Sequence, residues 1–282
     1  MSATSPGSQR EARLNATREA FDSVAADYDG PRGNNELIQD MRHEMWRWLD
    51  LTFPTPSRLI DLGCGTGLDA LRLAQRGHRV LATDWSPAMV ERTRARAAKA
   101  GVGEAVDART VGVQELERLG DVGPFDGAYS NLGALNCAPE LGAVAAQCAR
   151  LVRPGGALVF TVIGRLCPWE LAHYGLRGRF ARAAIRYRRG AVPVSMNGRT
   201  IWTHYYTPAR FYEPFAPGFE RVHVRGLCLF APPPYLGTVR TRWPRTYRAL
   251  WSADRRLAGW PALRAFGDHF LIVMRRRSSP RT

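Results

Sequence analysis

Lysine is almost missing from this 282-residue chain: Lys99 stands alone, and arginine supplies the other 39 cationic side chains. Acidic residues are scarce in one half only. Residues 1–140 hold 20 acidic and 16 basic side chains, but residues 141–282 hold 5 and 24, so the whole net charge of +15 lies in the second half. The arginine skew fits GC-rich codon usage as well as a task, since the planar guanidinium grips carboxylate or phosphate with paired hydrogen bonds. Paired cysteines are also lacking. Cys64, Cys137, Cys148, Cys167 and Cys228 are odd in number, scattered, and never spaced CxxC, which excludes a disulfide framework or a structural zinc site. No apolar run approaches the roughly 20 residues that span a bilayer. The longest is Ala157–Ile163, and residues 1–13 lack the apolar stretch of a signal peptide. A reduced, cytoplasmic, soluble protein without a membrane span is the expectation. With 45% hydrophobic and 23% charged residues, the composition is that of a globular chain.

Periodicity divides the chain. Residues 1–9 read as a disordered leader and 10–56 as a helical lid, with helices over 11–28 and 35–51. Over 57–164 the pattern becomes strand, loop and helix in alternation. Strands are expected at 58–62, 79–83, 106–111, 125–130 and 157–163, with helices at 68–75, 88–99 and 141–151. That alternation predicts a parallel, doubly wound α/β sheet with helices on both faces. Residues 165–206 break the rhythm and read as an inserted cap, mostly helical over 168–188, with a hairpin around Asn197-Gly198. Residues 207–282 return to the sheet with a helix at 208–215 and strands at 219–227 and 269–274. A second, irregular insertion occupies about 231–266.

The sequence Asp61-Leu-Gly63-Cys64-Gly65-Thr-Gly67 joins the first strand to its helix. Glycines there let the backbone approach a ligand, and the helix start behind them favours anionic groups. Asp84 ends the next strand 17 residues beyond Gly67, where a carboxylate can accept from both hydroxyls of a ribose. A nicotinamide-type GxGxxG would need glycine where Leu68 stands, and no lysine follows to make a P-loop.

Together with Thr83-Asp84-Trp85-Ser86-Pro87-Ala88-Met89 and Arg153-Pro-Gly-Gly156, this turn resembles the signature set of class I S-adenosylmethionine-dependent methyltransferases over residues 57–163. The resemblance implies a Rossmann-like seven-stranded sheet with an antiparallel last strand, and S-adenosylmethionine as cofactor. It implies that Gly63, Cys64, Gly65 and Gly67 line the methionine moiety and that Asp61 orients its ammonium group. Asp84 would hold the ribose, with Trp85 and Met89 over the adenine. Trp85 as plain packing stays open. Many members carry an acidic residue after the third strand. Here that place is Gly112, followed by Val113-Gln114, so backbone contacts helped by the Gln114 side chain are expected. Tyr28, ending the first helix, is read as a lid over the sulfonium or as packing, and Asn131 as a further cofactor contact.

The acceptor should face the loops after the fourth and fifth strands. The first holds Asn131 and Asn136 but lacks the Asn/Asp-Pro-Pro-aromatic motif for exocyclic amines. The second holds Trp169-Glu170. Glu170 beside an apolar wall can serve as general base, or can simply pair with an arginine. His173, His204 and His269 are rival bases. Trp169, Tyr174, Tyr206 and Asn136 are the expected substrate contacts, and no protein metal site is expected. Aromatics interleaved with arginines suit an apolar, anionic, small-molecule acceptor. The chemistry of the cap is similar to that of isoprenoid-diphosphate C-methyltransferases, where Glu170 would take a proton from a carbocation and Mg2+ would accompany the diphosphate. O- or N-methylation of a natural product or lipid is the alternative. A basic face for RNA is the competing class; the C-terminal arginines then bind phosphates rather than form a solvated helix face.

Overall fold

The computed structural model describes residues 6–31 and 33–278. Two helices come first, α1 (Pro6–Val24) and α2 (Glu36–Thr52). The alternating core follows as β1 (Arg58–Leu62), α3 (Leu68–Gln75), β2 (Arg79–Asp84), α4 (Pro87–Lys99), β3 (Val106–Thr110), β4 (Phe125–Ser130), α5 (Leu141–Leu151) and β5 (Val152–Ile163). The cap comprises α6 (Pro168–Gly175), α7 (Phe180–Ala183) and the hairpin β6 (Val192–Met196) and β7 (Arg199–Thr203). The chain then runs through α8 (Pro208–Tyr212), β8 (Phe219–Leu227), α9 (Thr238–Arg242), α10 (Pro244–Leu257) and β9 (His269–Arg276).

The strands form one seven-stranded sheet in the order β3-β2-β1-β4-β5-β9-β8. The first five are parallel, and β9 runs antiparallel between β5 and β8. Its central strands are apolar on both faces because both faces are covered. Ile60, Leu62, Phe125, Leu158 and Phe160 pack with α5 and the Phe211–Phe215–Phe219 cluster on one side. Leu59, Val80, Ala82, Tyr129 and Val159 pack with Met45, Leu49, Leu73 and Val90 on the other. The strand order reverses between β1 and β4, so a crevice opens beyond the carboxyl ends of β1, β2 and β4.

Several expectations are corrected. Residues 6–9, read as part of a disordered leader, are the start of α1; residues 1–5 lie outside the described residues. The first helix ends at Val24, and residues 25–31 form turns. The cap helix expected over 168–188 breaks after Gly175, because Gly178 adopts φ +70° and turns the chain into α7. The insertion at 231–266, read as irregular, contains α10, anchored on α2 where Tyr247 donates to Asp40 at 2.6 Å. Asp254 of α10 also accepts from the N–H groups of Leu229, Phe230 and Ala231 at 2.9–3.1 Å.

Candidate active site

The turn after β1 approaches its neighbours too closely for a side chain. Gly63 adopts φ +82°, and a Cβ there would lie 2.4 Å from that of Ala134. Asp84 organises the turn from β2. Its Oδ2 accepts from Gly65 N and its Oδ1 from Ser86 N, both at 2.9 Å. Thr93 of α4 donates to Gly65 O at 2.9 Å. A cavity of about 240 Å³ lies against this turn, lined by Gly63, Gly65, Asp84, Trp85, Met89, Val113, Gln114 and Asn131, with Tyr28 above Gly65. Burial pushes the Tyr28 hydroxyl up to about 12, so it stays protonated at neutral pH.

Its roof comes from distant chain. Thr17 and Phe21 of α1, Met196 of β6, and Ile201 and Thr203 of β7 line it as well. Lid and cap are joined: Trp202 N donates to Thr17 Oγ1 at 3.1 Å, and Arg13 lies 4.3 Å from the Trp202 ring centre. The hairpin's part in this cavity had no local signal, since β6 and β7 carry no motif of their own.

Three buried polar atoms around this turn lack partners: Nε2 of Gln114, which lines the cavity, and Oδ2 of Asp61 and its neighbour the Tyr129 hydroxyl, which are not in the lining. Burial, then the nearby Asp69, holds the Asp61 carboxyl well above the usual range, a state that an approaching cation would reverse. The Gln114 amide folds back over Gly112, where a Cβ would fall 2.4 Å from Nε2. An acidic side chain at 112 would collide with it. A cationic group near Asp61 and a hydrogen-bond acceptor near Gln114 are what Oδ2 and Nε2 call for.

Other expected contacts are committed elsewhere. Asn131 lines the cavity, but its Nδ2 donates to Asp69 at 3.0 Å and its Oδ1 accepts from Leu132 N and Thr161 Oγ1 at 2.9 and 2.7 Å. Asn136 is fully buried and staples β5 to the cap, through Ile163 N and O and His204 O. Trp169 donates to Leu229 O at 3.0 Å, and Tyr206 packs between His204 and Phe211. Asn136, Trp169 and Tyr206 therefore present nothing to either cavity described here. Cys64 is buried, with its thiol pushed well up by desolvation, and reads as filler beside Gly67.

A second chamber of about 700 Å³ adjoins the first and shares Tyr28, Leu132 and Ile163 with it. Tyr174, Arg182, Tyr205 and Tyr235 form its outer wall. Its inner wall holds a buried ionic network. Arg186 donates to Glu170 Oε2 at 2.8 and 2.7 Å, to Asp268 Oδ1 at 2.5 Å, and to the carbonyls of Gly164 and Asp268 at 2.8 and 2.9 Å. Taking a proton would cost Glu170 a buried ion pair, so Glu170 is poorly placed as a base. Cys167, Glu170 and Asp268 bring donor atoms within 4.8 Å of one another, but Arg186 already bridges the two carboxylates and leaves no place for a cation.

The same network orients His269. Its Nδ1 lies 2.8 Å from Asp268 Oδ2. Burial raises the Asp268 carboxyl, but Arg186 and His269 outweigh this and hold it well below the usual range. An ionised carboxylate only accepts, so Nδ1 is the donor, and in a neutral imidazole Nε2 is then the nitrogen with the free lone pair. His269 pairs across the sheet with Ile163, which lines both cavities. The other two histidines do not reach the chamber: His173 packs on Tyr174 and Tyr235, and His204 on Tyr206.

Residues 59–156 match the model of a family described as a methyltransferase domain. Over these residues the chain is similar to methyltransferase domains. The chain is 34% identical over 140 residues to the ubiquinone biosynthesis O-methyltransferase of Xanthomonas axonopodis pv. citri (strain 306), covering 49% of this chain and 56% of that one. It is 35% identical over 167 residues to the nocamycin O-methyltransferase of Saccharothrix syringae, covering 55% and 53%. The chain thus spans about half the length of the curated relatives it matches. A crystal structure of Burkholderia thailandensis 1,6-didemethyltoxoflavin-N1-methyltransferase, with bound 1,6-didemethyltoxoflavin and S-adenosylhomocysteine, shares the fold. Its TM-score is 0.55 at 17% identity, over 99% of this chain and 93% of that one.

Proposed function

We propose that this chain is a cytoplasmic small-molecule O-methyltransferase that binds its acceptor in the chamber beside the cofactor cavity and uses His269 as general base. The observation that carries the reading is the Asp268–His269 pair in a chamber that shares Tyr28, Leu132 and Ile163 with the cofactor cavity. Relatives named as O-methyltransferases, for ubiquinone biosynthesis and for nocamycin, favour oxygen and a small-molecule acceptor.

S-adenosylmethionine, when bound, would supply an activated methyl group on a sulfonium that leaves as a neutral thioether. Asp61 would accept from its ammonium group, Asp84 from the ribose hydroxyls, and the Gln114 amide would donate to the adenine edge, with Trp85 and Met89 against the ring. Tyr28, Phe21 and the hairpin exclude water from above. In the chamber, Nε2 of His269 takes the proton of the acceptor hydroxyl as that oxygen bonds to the methyl carbon. The histidinium formed in this way would be stabilised by the Asp268 carboxylate. Arg182 and the tyrosines of the outer wall suit an acceptor that is anionic and partly apolar. A diphosphate C-methylation with Glu170 as base is disfavoured, since Glu170 is spent on Arg186.

The test is a labelled-methyl screen over hydroxylated aromatic and polyketide acceptors with wild type and His269→Gln. We expect turnover to fall by about 10²–10⁴-fold in the variant, with thermal stabilisation by S-adenosylhomocysteine kept. Equal turnover would remove His269 from the mechanism. The absence of any thermal shift with the cofactor product would remove the cofactor contacts.

A further inference from the structure

Three of the five acidic residues of 141–282 are buried: Glu170, Asp254 and Asp268. Only Glu213 and Glu220 of the five stay exposed, and some arginines of that half pair instead with acids of the first half, Arg153 with Asp126, Arg199 with Glu19 and Arg240 with Glu36 and Asp40. The cap turns this excess into a particular surface. Leu176 is 88% exposed and Phe180 71%, with Leu171 and Tyr235 exposed beside them. Tyr235 reaches α6 through His173, ring centres 6.1 Å apart. Arg177, Arg179, Arg188 and Arg189 are interleaved with these apolar groups. Among the described residues none of the four has a carboxylate partner; Arg177 binds only His173, and Arg179 lies over Tyr174.

Leucine and phenylalanine held this far into water by a short helical turn gain nothing for the fold. Apolar side chains standing out from a field of unpaired arginines match an anionic bilayer surface, where the former enter the acyl boundary and the latter meet headgroup phosphates. RNA fits less well, because leucine offers no stacking face and the aromatic rings do not line a groove. No helix among the described residues is long and apolar enough to cross a membrane, so the contact would be peripheral.

We propose that the α6–α7 face docks the protein on an anionic lipid surface, with Leu176 and Phe180 inserted. Tyr174, Arg182 and Tyr235 belong both to this face and to the outer wall of the chamber. An apolar acceptor would then pass from the bilayer to the chamber, a consequence that rests on the function proposed above, whereas the docking itself does not.

The experiment is cosedimentation of the full chain with phosphatidylcholine vesicles and with vesicles that also carry phosphatidylglycerol. Binding should require phosphatidylglycerol, weaken with salt without vanishing, and fall by about a hundredfold in the double variant Leu176→Asp, Phe180→Asp. That variant should keep its thermal shift with S-adenosylhomocysteine, which shows it is folded, and His269→Gln should bind vesicles like wild type. No sedimentation with anionic vesicles overturns the proposal. So does binding that the double variant leaves unchanged, or tight binding to random-sequence RNA that vesicles do not compete away. Vesicle binding without methyl transfer to any hydroxylated acceptor would leave the docking intact and sink the proposed function alone.

Discussion

Replacing Arg186 with Met tests the chamber wall most directly. The guanidinium is buried and serves two carboxylates and two carbonyls, while Met fills much of its volume without any donor. Removing one partner of a buried ion pair costs about 3–5 kcal/mol, because the other charge is left desolvated. For a chain of this size that corresponds to a fall in Tm of roughly 6–20 °C. Acid dependence separates this from a simple packing loss. In the wild type, Asp268 is held below its ordinary value of 3.8, so its contribution is present above that value and lost as pH falls towards the lower folded one. In Arg186→Met, burial is opposed by His269 alone and the Asp268 carboxyl rises. A group with a raised folded value stabilises only where it is protonated, so the variant should recover stability on acidification. The gap to wild type, read by urea unfolding through tryptophan fluorescence, should narrow from about pH 8 to about pH 5. Arg186→Lys keeps the charge but loses the fork and should fall between the two. A gap below about 1 kcal/mol, or one that does not change with pH, would refute the reasoning.

The cofactor side and one remote histidine supply further tests. Affinity for S-adenosylhomocysteine should rise with pH in the wild type, because Asp61 must release a proton to meet an ammonium group, and calorimetry should find the dependence gone in Asp61→Asn, with weaker binding throughout. Gln114→Ala should weaken the same ligand roughly fivefold, about one hydrogen bond. Gly112→Ala should do as much by displacing the amide, and the double variant should be no worse than either single one; full additivity would mean the amide does not touch the ligand. His223 stacks on Trp48 with ring centres 4.1 Å apart, and burial, then Arg225, pushes it down to about 4. Its folded value lies below the ordinary 6.5, so stability is complete above 6.5 and is lost as pH falls towards 4. Melting curves of His223→Phe should lose that acid limb while matching wild type at neutral pH.

The cofactor half was legible because its signals are local. The strand Arg58–Leu62, the glycines, Asp84 and the capping Ser86-Pro87 lie within thirty-odd residues, and each element needs only its neighbours to declare itself. The acceptor half was not, because its chemistry is made by pairings across long stretches of chain. Whether Glu170 is a free acid or an arginine's partner is undecided until Arg186, and Asp268 a hundred residues on, are brought against it. Asn131 and Asn136 have the right residue type in the right loops, yet a buried loop must satisfy its own backbone first, and their amides are consumed in doing so. His269 was one of three rival bases, but nothing local says that Asp268 orients its ring or that β9 sets it opposite Ile163 at the rim of the cofactor cavity. Charge was misleading in the same way. Counting places five acids in the C-terminal half, whereas burial withdraws three of them into fixed bonds, so the surface of that half is more uniformly cationic than its composition. An acceptor or a partner meets that surface and not the count.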